Sequence, residues 1–149
     1  MTFIGQSARR FEDVRFLTGR AVFVEDVNVP GQAWAYVVRS PHAHAAINRM
    51  DLTAARAAPG VLGVYVHADI ADLGLLPCAT AVATVAPMIV PPRPALANGR
   101  VRHVGDPVAF VVAETQRAAR DAAELVEVDY RVLPSVVDGI SALRDGAPR

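Results

Sequence analysis

Seven consecutive apolar residues, Pro107-Val-Ala-Phe-Val-Val-Ala113, lie between a Gly-Asp turn and a polar Glu-Thr pair. A strand with one face in water alternates apolar and polar residues. An unbroken run is what a strand covered on both faces requires, so this segment is read as the central strand of a layered domain. Pro107 fits its first position, where no ladder N–H is needed. Thr115 then has the chemistry of a helix cap for "QRAARDAAEL". In that helix Ala118, Ala122 and Leu125 share one face, with Ala119 and Val126 beside them, opposite Arg117, Arg120, Asp121 and Glu124. The alanine face is expected to dock closely on a sheet. The next segment, "VEVDYRV", alternates cleanly, which puts Val126, Val128 and Tyr130 inward and Glu127 and Asp129 outward.

The first half of the chain carries a weak echo of that unit. "AWAYVVR" from Ala33 has strand composition, Ser40-Pro41 breaks it, and "AHAAINRMD" resumes it, so the two segments are expected to pair with each other. Asp51 is a candidate cap for "LTAARAA". Pro59-Gly60 ends that helix before the strand-like "VLGVYVH". Each strand–helix–strand unit, 33–66 and 108–132, predicts a parallel, right-handed crossover. The expected fold class is therefore α+β with a mixed sheet and two or three short helices, in one domain over residues 1–149. Residues 1–30 read as a charged N-terminal arm. Residues 68–97 hold five of the eleven prolines and read as a surface excursion with short extended pieces such as "CATAVATV". Both segments mix turn residues with Phe3, Ile4, Phe11, Phe16, Leu75, Leu76, Met88 and Ile89. They are expected either to be mobile or to pair with a second copy of the chain.

Composition excludes several functions. Formal net charge is zero over 149 residues, which leaves no basic footprint for nucleic acid. All fifteen basic residues are arginine, so neither Schiff-base chemistry nor a lysine-bearing phosphate loop is available. Cys78 is the only cysteine and cannot by itself form an internal disulfide or hold an iron–sulfur cluster. No segment offers about 18 consecutive apolar residues, so no membrane span is expected, and the cytoplasm is the simplest location.

The candidate chemistry is sparse. His42 and His44 would share one face of an extended strand, but a tetrahedral metal site needs a third protein ligand, and neither His67 nor His103 has a spacing that supplies one. Ser40 precedes a proline outside any nucleophile elbow, which is ordinary turn chemistry. The "VGDPVA" turn has one glycine and no phosphate-cradling set. Glu12, Asp13, Glu25 and Asp26 sit among arginines, where ion pairing or solvation accounts for them. Cys78 has no activating cation nearby in sequence. No catalytic, cofactor-binding or metal residue is assigned.

Several separated motifs do have a family resemblance. "RFEDVRFLTGRAVFVEDVNVPGQAWAYVVRSPHAHAAI", "APGVLGVY", "RPALANGRVRHVGDPVAFVVAET" and "ARDAAELVEVDYRVLPSVVD" occur in that order. Together they closely resemble the N-terminal α/β-hammerhead domain of the molybdenum-cofactor (large) subunit of the xanthine dehydrogenase and aldehyde oxidase family, particularly its bacterial carbon-monoxide-dehydrogenase-like members. The resemblance implies a hammerhead fold that scaffolds a molybdenum hydroxylase. Molybdopterin-bound molybdenum, iron–sulfur clusters and FAD belong to the complete enzyme, with none expected in this chain. It also implies cofactor-binding domains, an iron–sulfur subunit and an FAD subunit as partners. In the family the cofactor residues and the catalytic glutamate lie in the larger domains that follow the hammerhead, so the isolated chain is expected to be inactive. Ser40-Pro41 then reads as a bend between strands, with His44 buttressing it or an interface. Two other readings stay open: a stand-alone protein-interaction module derived from that family, and a small enzyme using His44 or His103.

Overall fold

The computed structural model describes residues 4–5, 7, 9–77 and 90–148. Cys78, Met88, Ile89, Phe3 and the "CATAVATV" piece lie outside the described residues. The chain divides into two units, Met1–Gln32 and Ala33–Arg149.

In the first unit a short helix, α1 (Asp13–Leu17), is followed by a 3-10 turn at Val24–Asp26. Phe16 and Phe23 stack with ring centroids 5.5 Å apart, and the guanidinium groups of Arg10 and Arg15 lie over the Phe16 ring. Other large apolar side chains of this unit, Phe11, Leu17 and Val24 among them, are exposed.

The second unit is built on strands β1 (Trp34–Arg39), β2 (Ala45–Asp51), β3 (Val61–Tyr65), β4 (Arg100–Val101), β5 (Pro107–Ala113) and β6 (Glu127–Val132). Three short helices accompany them: α2 (Thr53–Ala57), α3 (Gln116–Ala123) and α4 (Gly139–Ala142). Among the described residues the strands form two sheets of three, ordered β1-β5-β3 and β4-β2-β6. The apolar run is the central strand of the first sheet, as its composition requires. Val108, Ala109, Val111 and Ala113 are buried, while Phe110 and Val112 are half-buried rather than buried.

Two expectations about connectivity are overturned. β1 and β2 do not pair; β1 runs antiparallel to β5, and β2 runs antiparallel to β4 and β6. The physical reason lies at Ser40. Its N–H donates to the Asp106 carbonyl and its own carbonyl accepts from the Gly105 N–H, which continues the β1–β5 ladder past Arg39. The His42 N–H, next in line for that ladder, bonds instead to the Ser40 hydroxyl, and the chain swings into the other sheet. The parallel crossovers also fail: every strand ladder described is antiparallel. The two crossover helices each link one sheet to the other, α2 leading from β2 to β3 and α3 from β5 to β6. The rule that makes same-sheet crossovers parallel therefore has nothing to act on.

The core has two parts. On one face of β5, Val111 packs with Val64, Ala55, Ala122 and Ala123, so α2 and α3 cover the first sheet. At the other end, Val108 packs with Ala45, Val101 and Ala97, supported by Ile47, Met50, Val128 and Tyr130 of the second sheet. Thr115 caps α3 as its chemistry suggests, its hydroxyl accepting from the Ala118 N–H at 3.1 Å. The buried stripe of α3 is Ala119, Ala122 and Ala123, rotated from the expected one. Ala118 is half-buried, and Leu125 lies past the helix end and is 44% exposed. Ala118 still marks a close approach: a β-carbon on Gly60, at φ +76°, would lie 3.5 Å from its methyl group. In β6 the alternation holds, with Val128 and Tyr130 inward and Glu127 and Asp129 exposed. Asp51 supports α2 from one residue before the cap position, where its carboxylate accepts from the Thr53 N–H at 3.0 Å. Among the described residues no helix is long and apolar enough to cross a membrane.

Candidate functional site

The bend that carries Ser40, His42 and His44 is the polar junction between the sheets. Ser40 is buried; its hydroxyl accepts from the His42 N–H at 3.0 Å and donates to the His42 carbonyl at 3.3 Å. Arg39 reaches across to the Gly105 carbonyl at 2.9 Å, and the Asp106 carboxylate accepts from the Arg102 N–H at 2.9 Å. The turn Arg102–Asp106 and the bend after β1 thus hold each other through backbone groups, with Gly105 at φ +87° supplying the tight corner.

The two histidines do not share a strand face, because β2 starts only at Ala45. The His42 ring meets the edge of Tyr130, with centroids 5.0 Å apart. The His44 Nδ1 is 2.7 Å from the Pro134 carbonyl, and since a carbonyl only accepts, that nitrogen carries the proton. The Leu133 N–H donates to the His44 carbonyl, so this residue anchors the chain leaving β6. Mainly because it is buried, the Tyr130 hydroxyl is held above its ordinary pKa. His103 lies 3.8 Å from the Asp106 carboxylate, and His67 opens a separate 3-10 turn. Among the described residues no three His, Cys, Asp or Glu side chains form a group that could hold a metal ion. The arm acids are local: Asp13 lies 3.6 Å from Arg10, and the Asp26 carboxylate accepts from the Phe23 N–H.

Two surfaces remain. On the first sheet, opposite α2 and α3, the registered row Val37–Phe110–Tyr65 forms the floor of an apolar groove of about 500 Å³. Ile70, Leu73 and Leu96 line it too, with Arg39 as its one charged residue. On the second sheet the outer face is charged, with two arginines at one end and Arg49 among three acids at the other. Ala46 pairs with Arg100 on one side and Arg131 on the other; further along β2, Arg49 stands opposite Asp129 and Asp51 opposite Glu127. Arg49 reaches Asp51 at 2.6 Å, and Asn48 reaches Asp129 at 3.3 Å. The hydrogen bonds from the Thr53 backbone and hydroxyl, then the Arg49 pairing, hold the Asp51 carboxyl below its usual range. Sequence reading missed this face. Its only signal was the position of Arg100 and Arg131 on the outward side of β4 and β6, which cannot be read until the partners of β2 are known.

These residues do not fit a molybdopterin group. A large anionic ligand needs many donors converging in a cleft. The glycines at positive φ in this unit (Gly60, Gly74, Gly99, Gly105 and Gly146) stand in separate turns. Arg100 and Arg131 stand two strands apart on an exposed sheet face and do not converge on a cleft.

Comparison with known proteins accounts for the fold. Residues 18–134 match the family described as "Aldehyde oxidase and xanthine dehydrogenase, a/b hammerhead domain". The chain is 41% identical over 145 residues to the carbon monoxide dehydrogenase large chain of Afipia carboxidovorans, covering 97% of this chain and 17% of that one. It is 42% identical to the nicotine 6-hydroxylase large subunit of Paenarthrobacter nicotinovorans, covering 96% and 17%. In structure it is similar to quinoline 2-oxidoreductase from Pseudomonas putida 86, with a TM-score of 0.82, 41% identity, and coverage of 99% of this chain and 18% of that one. It is also similar to the Cu,Mo-CO dehydrogenase, with a TM-score of 0.76, 40% identity, and coverage of 97% and 17%. The chain spans about one sixth of the length of these relatives. On sequence and fold together, the chain belongs to the α/β-hammerhead domain family of aldehyde oxidase and xanthine dehydrogenase.

Proposed function

We propose that this chain is the scaffold domain of a molybdenum hydroxylase large subunit, packing against cofactor-binding domains and performing no chemistry alone. The observation that carries this reading is the agreement in family and fold with large chains of which it corresponds to about one sixth. The polar groups at the sheet junction support it. They bond to backbone in place of converging on a cleft, which suits a part that sets geometry for its neighbours. In this reading the complete enzyme contains molybdopterin-bound molybdenum, iron–sulfur clusters and FAD, with an iron–sulfur subunit and an FAD subunit as partners, in the cytoplasm. Residues 1–30 form an N-terminal arm of the same domain.

The test is a tagged chain expressed in its own host with the rest of its enzyme, beside the 149-residue chain purified alone. Molybdenum, iron and a flavin spectrum are expected in the first preparation and absent from the second. Stoichiometric molybdenum in the second would overturn the scaffold reading. A tagged chain that brings down none of these cofactors would favour the stand-alone interaction module.

A further inference from the structure

The outer face of the second sheet distributes its charges unevenly. Directly opposed residues on one face interact, and solvated sheets place opposite charges across from each other. Here β2 offers Ala46 between Arg100 and Arg131, so two guanidinium groups flank a methyl group with no acid between them. Neither arginine has a salt-bridge partner among the described residues, whereas Arg49 of the same face pairs with Asp51. The acids are gathered at the far end of the strand, where Asp51 stands opposite Glu127 and Asp129 lies between them and the arginines. Arg49 stands among these acids, so the face has one paired, mixed end and one cationic end without a described acid.

We infer that the Arg100–Ala46–Arg131 row is a docking site for a carboxylate-bearing segment of the polypeptide that completes the large subunit, and this rests on the scaffold reading above. The geometry suits a carboxylate. Strands two apart are separated by about 10 Å, so the arginines can close from both sides on a group resting on Ala46. The small floor matters, because a larger side chain would fill the space between them. Charge complementarity selects a protein as the occupant. A nucleic acid or a free polyanion would meet Asp129 and Glu127 on the same face, whereas a protein strip can place a cation there and an acid at the arginine end. Both arginines are exposed. Arginines held in water gain little from a small anion, and a partner that excludes that water gains more.

The experiment uses the complex assembled in its own host through a tag on the chain, washed with increasing sodium chloride. Two variants are compared with the unmodified chain: Arg100→Glu with Arg131→Glu, and Ala46→Leu, which keeps both charges and blocks the floor. Arg117→Glu with Arg120→Glu, on the exposed side of α3, is the control. Both face variants are expected to weaken retention of the partner polypeptide by about tenfold or more, the charge reversal also abolishing its salt dependence, with the control unchanged. The far-ultraviolet spectrum and melting temperature of each variant check that the sheet is intact, and Ala46→Leu decides should the double reversal melt early. If the unmodified chain retains its partner and both variants retain it equally well, this docking site is wrong and the scaffold reading stands. If the unmodified chain retains nothing, both fall. Chemical-shift changes at Ala46, Arg100 and Arg131 with inorganic phosphate or a short DNA duplex, matching those with a glutamate-rich peptide, would overturn the assignment to a protein partner.

Discussion

The two three-stranded sheets solve different problems. The first, β1-β5-β3, has a central strand that is apolar along its whole length, helices on one face and an apolar groove on the other. The second, β4-β2-β6, buries one face against Val108 and Ala97 and turns a charged face outward. In the first sheet sequence and packing agree: every residue of β5 is apolar, and each is buried or half-buried. In the second, burial explains only alternate residues; of the outward ones Arg49, Asp51 and Asp129 pair locally, while Arg100 and Arg131 have no described acid partner. Burial thus accounts for the fold, and the exposed residues that burial leaves unexplained are where a partner is to be sought.

The sharpest way to break this comparison is to attack the first sheet through α3. Ala122→Arg would overpack the contact with Val111 and bury an unpaired charge, and a loss of about 3 kcal/mol or more is expected in a denaturant melt. An unchanged melt would remove α3 from the core. Val111→Ala tests the strand beneath and is expected to cost about 2 kcal/mol through lost burial and the cavity left behind. Ser40→Ala removes the hydroxyl that holds the bend between the sheets, leaving the His42 N–H without its partner, with a loss of about 1 kcal/mol. Reversal of Arg131 is expected to leave the melt of the chain unchanged within about 0.5 kcal/mol, because that residue is exposed and unpaired with any described acid. A core-sized effect there would merge the two classes of residue.

The smallest effect expected is a pH dependence at the edge of the second sheet. The Asp51 carboxyl is held below its ordinary value in the folded chain, so its contribution is present above the unfolded pKa and is lost as pH falls through the folded one. Tyr130 is shifted upward, so its contribution is present below the ordinary phenol pKa and is lost as pH rises through the folded value. Asp51→Asn should flatten the acid side of the stability profile and leave the alkaline side alone. An unchanged acid side would show that the Thr53 hydrogen bonds do not stabilise the carboxylate.

Much of the first sheet, and the facing of β6 in the second, was legible in the sequence. The apolar run from Pro107 located the central strand, Thr115 capped its helix, and the alternation after Val126 gave the inward and outward sides of β6. The pairing of strands was not legible. Composition shows that a segment is extended but not which segment it meets, and "AWAYVVR" and "AHAAINRMD" look like neighbours in a hairpin. Their separation is decided at Ser40, where backbone groups continue the ladder with Asp106 and Gly105 some 66 residues away in sequence, as the Arg39–Gly105 bond records. A bond between such distant residues has no local signature. For the same reason the Arg100–Ala46–Arg131 row was invisible, since it consists of three residues from three strands whose adjacency is itself the missing fact. The histidine pair shows the converse. Its spacing suggested joint coordination, and the geometry gave each ring a different neighbour because the strand begins one residue too late.

The central claim is that the first sheet makes the fold and the outer face of the second meets the rest of the enzyme. Amide hydrogen exchange, measured on the 149-residue chain alone and on the assembled enzyme, tests it most directly. Amides of β5 should be equally slow in both, while those of Ala46, Arg100 and Arg131 should slow on assembly and those of Arg117 and Arg120 should not. Equal exchange at Ala46, Arg100 and Arg131 in the two states would contradict the account.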